Sequence, residues 1–506
     1  MRIRHAPAAG FARIHARAVH AAAPRGISPA MKSPRSNAIL CAIYVLYLFL
    51  ALSIVARGGF RAQDFDVHLA FAKRLLSGSF PQSVVGATNP PLLYLLAATS
   101  MRIFGESAGI QLLAGVFALL NCLALHLFWL CSRRLLPQAN GLLALLFLAT
   151  LPVFVTTSVV FSADALVCLP FFAFCYLNLR LLEAPEHPSI PMLMGSGAVQ
   201  VLGGLAKYSF LGIAPAAFLF SWYLVHKRKC SGRQALAVFV LLFLLPSVIN
   251  YSIFKSLKGS TSLGIEFPIP SGAMTFRSLL WPYGRDVELF SAPPYFDPIK
   301  SDGTQVRVTP DGDPDARGRP GYTILVNNRY SYPALLNLAI NSDILNITHR
   351  RMADSNDFTR AGPLVKRNQL FQIASVIFGA LFSVLVAVSL AVLSWSALGL
   401  SRNPNDATAP GFKAGPGASL PIDIALALVL PALGYFGLIV GLLPFVGIDV
   451  YYGGYWLPRL VLPALLVFGL VAFWLLARID GSKLLRYFLL AIIVCKVLFH
   501  LGLQLL

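Results

Sequence analysis

The sequence predicts an all-α polytopic membrane protein of about eleven transmembrane helices, and three observations predict it. Of the 506 residues 57% are hydrophobic and only 12% charged, where a soluble domain carries about 25% charge. Apolar runs of about 20 residues recur along the chain, enough to cross a hydrocarbon core. Basic residues fall in alternate connectors, as the positive-inside rule requires of a multi-pass chain. Helices are the expected spanning form because each closes its own backbone hydrogen bonds. No series of short alternating strands, the mark of a barrel, is visible.

Residues 1–37 hold seven Lys/Arg and no acid and read as a basic, disordered cytoplasmic tail. Spans follow at 38–56, 107–131, 139–160, 164–182, 190–206, 208–225 and 234–255, and with the loop 57–106 they form an N-terminal catalytic module, 38–255. The run 90–104 is apolar but short, so it is expected to lie at or dip into the interface. Segment 256–368 is mixed in charge and reads as a small exported loop subdomain. Residues 369–506 supply the C-terminal helices, at 369–399, 421–444, 456–477 and 484–505. With the N-terminus in the cytoplasm, Arg133, Arg134, Arg180, Lys227, Arg228, Lys229, Arg402 and Arg478 all fall inside. The loop 57–106, the turn at Ser162–Asp164, the connector at Lys207 and segment 256–368 then lie outside, as does the C-terminus. This is the topology expected in a cell inner (plasma) membrane, with the active site on the periplasmic or extracellular side.

The net charge of +20 does not indicate nucleic acid. It sits in the tail and short connectors, where it sets topology and meets anionic lipid. The seven cysteines lie in spans or cytoplasmic connectors with no paired metal spacing, and they read as packing residues. The sequence contains no phosphate-binding glycine loop, nucleophile elbow or zinc-protease helix in the right context.

The residues able to carry chemistry cluster at the span ends placed outside. Asp64 and Asp66 open an amphipathic run with His68 and Lys73 on its polar side, expected as a helix on the membrane surface. Asn89 and Pro90, followed by Pro91, start the next helix and fix the loop over the membrane mouth. Asp164 opens a span, where it acts as a helix cap or as a functional carboxylate. Lys207 interrupts an apolar stretch, as a snorkelling side chain at a tight turn or as a cation for a lipid-linked phosphate. Arg459, beside Tyr455 and Trp456, is either an interfacial anchor or a fork of donors for phosphate. His126, inside a span, reads as a packed or hydrogen-bonded histidine.

The order of these motifs resembles the GT-C class of integral-membrane glycosyltransferases, in the bacterial branch related to protein O-mannosyltransferases and lipid A aminoarabinose transferases. The residues that carry the resemblance are Asp64-Phe65-Asp66, Asn89-Pro90-Pro91-Leu92-x-Tyr94, Ser162-Ala163-Asp164, Gly204-Leu205-Ala206-Lys207-Tyr208 and Tyr455-x-x-Pro458. Such enzymes take sugar from a polyprenyl-phosphate donor and use an essential first-loop aspartate. The resemblance implies that Asp64 is the general base, with Asp66 its neighbouring alternative, because many relatives have Asp-Glu where this chain has Asp-Phe-Asp. It matches Asp164 to a second acidic position. Some relatives hold a divalent metal at the first-loop acid and others none, so a metal at Asp64 and Asp164 stays open.

The expected function is transfer of a sugar from a polyprenyl-phosphate carrier to a glycan, lipid or protein acceptor, with inversion. Asp64, Asp66 and Asp164 are the expected acids, and Lys207 and Arg459 the donor-phosphate ligands. His68, Asn89 and Pro90 are expected to position the loop. Membrane lipid is the other partner expected, and nucleic acid is not. The rival reading, a secondary transporter or lipid flippase, predicts repeats and polar groups near the midplane.

Overall fold

The computed structural model describes residues 34–61, 65–77, 90–183, 188–258, 384–394, 423, 425–442 and 462–478, together with 487, 491 and 494. Among the described residues every regular element is helical and there is no strand. In chain order these are α1 (Pro34–Ala56), α2 (Phe65–Leu76), α3 (Leu92–Phe104), α4 (Glu106–Leu135), α5 (Gln138–Ala149), α6 (Pro152–Thr157), α7 (Asp164–Glu183) and α8 (Ile190–Ala206). A 3-10 turn, Tyr208–Ile213, leads into α9 (Ala214–Arg228). Then come α10 (Gly232–Phe239) and α11 (Leu245–Lys258), separated by one wide π turn at Val240–Leu244. Helix α12 (Val384–Ser394), a second π turn at Ala425–Val429, α13 (Leu430–Leu442) and α14 (Leu462–Arg478) complete the described bundle.

Among the described residues five stretches are long and apolar enough to cross a membrane: Pro34–Ala56, Glu106–Leu135, Asp164–Glu183, Tyr208–Arg228 and Gly232–Ile253. Six more apolar helices are shorter. On α4, Leu112, Val116, Leu119 and Leu123 form an exposed apolar stripe at helical spacing. Water would oppose such a stripe and acyl chains would cover it. The chain is therefore a multi-pass membrane protein.

The expected span 139–160 is not one helix. Helix α5 stops at Ala149, where the Thr150 hydroxyl donates to the Leu146 carbonyl at 2.8 Å. Pro152 then restarts the chain, and Leu151 before it takes an extended ψ of 119°. A residue before proline is pushed out of the helical region, which accounts for the break. The expected spans 208–225 and 234–255 are present, with the 3-10 entry and the π turn inserted. Of the C-terminal spans, 369–399 is described only over 384–394 and 484–505 only at 487, 491 and 494, and segment 256–368 lies outside the described residues from 259 on.

Buried polar contacts fix how the helices run. The Tyr47 hydroxyl donates to the Ala118 carbonyl, and Tyr44 meets His126 Nδ1 at 3.0 Å, so α1 and α4 are antiparallel. This is the packed, hydrogen-bonded role expected for His126. Asn121 Nδ2, midway along α4, donates to the Ala165 carbonyl at 2.7 Å. Helix α4 is about 45 Å long at 1.5 Å per residue, and its first half overreaches the start of α7 by about 22 Å. The short helix α3 folds back along that overreaching half, with the Ser100 hydroxyl donating to the Gly109 carbonyl at 2.7 Å.

Helix α8 lies between α7 and the α10–α11 arm. Ser196 donates to Asn178 of α7 at 3.2 Å. Gln200 Nε2 donates to the Leu242 carbonyl inside the π turn at 2.7 Å, and Asn250 Nδ2 returns a bond to the Gln200 carbonyl. On the far side, α13 meets the 3-10 turn backbone to backbone. A Cβ placed on Gly434 would stand 2.3 Å from the Gly212 carbonyl oxygen.

Basic residues gather at one end of this bundle. Arg134 pairs with Glu183 at 2.9 Å, Arg228 donates to the Leu182 carbonyl, and Lys227 and Tyr223 both donate to Asp423, at 2.6 and 2.9 Å. The Gly212–Gly434 contact yields a direct test. Gly434→Val should force the two backbones apart and cost about 1–3 kcal/mol, the usual range for overpacking. A lowered Tm in detergent is the expected reading, with Gly437→Val, where a Cβ meets no atom within 4 Å, as the tolerated control.

Candidate functional site

The opposite end of the bundle is built around two residues from adjacent antiparallel helices. Asp164 is the first residue of α7, and Lys207 follows the last residue of α8. Lys207 Nζ donates to Asp164 Oδ1 in an ion pair. The two residues are only 5% and 8% exposed, so the pair has left water almost completely. Ser162 shapes the turn before it: its Oγ accepts from the Asp164 backbone N–H at 3.1 Å and donates to Asp164 Oδ2 at 3.3 Å. Ser162 thus accepts from the first N–H of the helix, and the Asp164 carboxylate itself accepts from Ser162 and Lys207.

Lys207 reaches this position because α8 ends abruptly. Its backbone N–H still bonds the Gly203 carbonyl at 2.8 Å, while its own φ and ψ are extended. The Phe210 ring lies against Gly203, where a Cβ would stand 2.3 Å from the ring. The lysine does not snorkel to a surface. It is drawn inward to the carboxylate, which is the stronger partner where solvent is excluded.

The first loop covers this turn. The Phe161 N–H donates to the Phe60 carbonyl at 2.9 Å, which ties the end of α1 to the segment just before Asp164. The Phe65 and His68 rings of α2 pack on Phe161 at 5.6 and 6.3 Å between centroids. His68, 5% exposed, meets the Tyr94 hydroxyl of α3 through Nδ1 at 3.1 Å, and Phe71 packs on the same tyrosine at 5.4 Å. Lys73 pairs with Glu106 at the start of α4. His68 thus joins α2 to Tyr94 of α3 and to Phe161. Asp66 lies in the first turn of α2, so its backbone is on the element that packs against the Asp164 turn. Pro90 is buried just before α3. Asp64, Asn89 and Arg459 lie outside the described residues.

The floor of the site contains residues the sequence did not reveal. Ser209 belongs to the 3-10 turn and Tyr435 to α13, and both hydroxyls are buried. The Tyr435 ring packs on Phe171 and Phe210 at 5.8 and 6.1 Å. A single tyrosine in an apolar span gives no sequence signal beyond its hydroxyl and the adjoining Gly434.

A carboxylate already bound to an ammonium is a poor ligand for a divalent cation, because the lysine stands where the metal would bind. Among the described residues no three His, Cys, Asp or Glu side chains come together. Asp64, the other ligand left open, lies outside the described residues, so no chemical step is assigned to a metal.

Removing one partner of a buried ion pair strands the other. Asp164→Ala should lower stability by about 3–5 kcal/mol. Adding Lys207→Met to that variant should restore most of the loss. Denaturation in detergent of the two single variants and the double variant checks both statements.

Comparison with known proteins returns one family. Residues 88–252 match the family described as dolichyl-phosphate-mannose-protein mannosyltransferase. No curated protein matches the chain. The matched stretch runs from α3 to α11 and includes Tyr94, Ser162, Asp164 and Lys207. Over the segment that carries the ion pair, the chain is similar to that mannosyltransferase family, in keeping with the GT-C class that its motifs resemble.

Proposed function

We propose that this protein transfers a sugar from a polyprenyl-phosphate donor to a glycan, lipid or protein acceptor at the non-cytoplasmic face of the membrane, with inversion. One observation carries the reading: the first-loop helix α2 is packed on Phe161, three residues before the buried Asp164–Lys207 pair. The helix whose first turn contains Asp66 and a buried cation are thereby brought to one end of the bundle. The family match supports a lipid-phosphate sugar as donor.

In this reading Asp64 accepts the proton of the acceptor hydroxyl as that oxygen attacks the anomeric carbon. The bond from that carbon to the phosphate oxygen breaks, and the phosphate leaves with the electron pair. The transition state resembles an oxocarbenium ion. The leaving group is already an anion, so charge stabilisation matters more than protonation. Lys207 supplies that charge together with Arg459, while Asp66 orients the acceptor. Asp164 holds Lys207 in position before the donor arrives. The basic end, with Arg134, Arg180, Lys227, Arg228 and Lys229, faces the cytoplasm. An arrangement of eleven spans with the N-terminus inside satisfies that orientation.

Asp64→Asn, inserted normally, should reduce transfer by about 10²–10⁴-fold, the usual contribution of a positioned base. Mass spectrometry of a panel of polyprenyl-phosphate sugars, each incubated with the purified protein, reads donor consumption directly. Wild-type turnover in the variant would remove the assigned role of Asp64. Movement of a labelled solute across vesicles without donor consumption would favour a transporter instead. Cysteines introduced at Ser77 and at Lys229 should react with impermeant reagents from opposite sides of the membrane, and labelling of both from one side would overturn the orientation.

A further inference from the structure

Exposed cations and exposed apolar side chains meet at the tip of the hairpin formed by α9 and α10. Phe218 of α9 packs on Phe239 of α10 and on Phe243 of the π turn, at 5.8 and 5.3 Å between centroids. Two antiparallel helices with the same rise per residue, matched at that level, stay in step toward the turn that joins them. Trp222 then lies about level with Leu236, and His226 with Arg233. Lys229 begins the turn itself, with a φ of 48°.

These levels differ in chemistry. Trp222 is 61% and Leu236 65% exposed. One turn nearer the tip, His226, Lys229 and Arg233 are all exposed, and the His226 ring stacks on Trp222 at 6.2 Å. From Phe218 to His226, about 12 Å at 1.5 Å per residue, the surface passes from packed phenylalanine through an open indole to cations. That is the order met on leaving the hydrocarbon of a leaflet for its headgroups.

The cations of this end are not alike. Lys227 pairs with Asp423 and Arg228 donates to the Leu182 carbonyl, so both hold protein to protein. Among the described residues Lys229 and Arg233 form no ion pair. No Asp or Glu occurs between Glu186 and Glu266, so helices α8 to α11 contain no acid to neutralise them.

We propose that the α9–α10 tip binds the headgroup of an anionic phospholipid, with Lys229 and Arg233 on the phosphate and the acyl chains beside Trp222 and Leu236. Charge complementarity selects this occupant. A zwitterionic headgroup brings no net charge to the two cations, and a soluble anion gains nothing from the exposed indole and leucine. The fork of Arg233 matches phosphate oxygens, while Lys229 acts as a point charge. The site lies at the basic end and does not depend on the sugar-transfer reading.

The test uses the whole protein in nanodiscs of phosphatidylcholine with a minor share of phosphatidylglycerol. Brominated acyl chains are placed on one lipid or the other at equal mole fraction, and Trp222 emission is taken as the difference between the wild type and Trp222→Phe. Brominated phosphatidylglycerol should quench Trp222 about threefold more than brominated phosphatidylcholine, as two cations near an anionic surface predict. Lys229→Asn combined with Arg233→Gln should bring the two lipids level, asparagine being tolerant of the left-handed backbone at 229. Should the double variant fail to accumulate, Arg233→Gln alone should at least reduce the preference. Equal quenching by the two lipids in the wild type would overturn the site and leave the tip a non-selective anchor. A preference that survives the double variant would overturn the assignment to Lys229 and Arg233. Loss of the preference in millimolar inorganic phosphate at constant ionic strength would overturn the lipid as occupant and favour a soluble anion.

Discussion

A carboxylate and an ammonium held out of water set the conditions for one whole end of this molecule. Taking two charges from solvent is expensive, and the contact between Asp164 and Lys207 offsets that only where the surroundings are well organised. Much of what surrounds the pair supplies that organisation. Ser162 closes the turn on one side, the abrupt end of α8 delivers the lysine, and the Phe60–Phe161 backbone bond holds the loop above it. The pair is a weak contributor to net stability and a strong selector of geometry, because only one arrangement of α7 and α8 keeps both charges partnered.

The opposite end follows different rules. Its acids, Glu183 and Asp423, are also paired with cations, yet they are more open to solvent and surrounded by an excess of Lys and Arg. Asp423 lies about 200 residues from its partners Tyr223 and Lys227 in sequence, so it joins the C-terminal helices to α9. Twelve residues later the same segment packs Tyr435 against Phe171 of α7 and Phe210 of the 3-10 turn. The chain segment from Asp423 to Tyr435 therefore runs from the basic end to the site, and the position of the site floor depends on a contact made at the other end.

The sequence was most informative where physics acts locally. Apolar runs gave α1, α4, α7 and α8 nearly residue for residue, and the chain turn at Lys207 was visible as one charge in a long apolar stretch. Pro152 could have announced the break between α5 and α6, but the run 139–160 is apolar throughout and the period alone reads it as one span. The π turn at Val240–Leu244 has no sequence mark, since the Gln200 side chain that bonds within it comes from a different helix. Asp164 and Lys207 were each singled out, but with separate roles. Their pairing is a long-range fact, and position along the chain carries no information about which buried charges meet. Tyr435 was missed for the same reason.

The stretch that matches the mannosyltransferase family begins after α2 and ends within α11. It contains both charges of the pair, but neither the helix that roofs them nor the tyrosine beneath. A fragment trimmed to that stretch would expose Phe161 where Phe65 now packs, and Phe171 where Tyr435 now packs. The recognisable part of this protein is accordingly an interior slice and not a separable unit, and its neighbours on either side act as the two halves of a mould that keeps water from the charges it encloses.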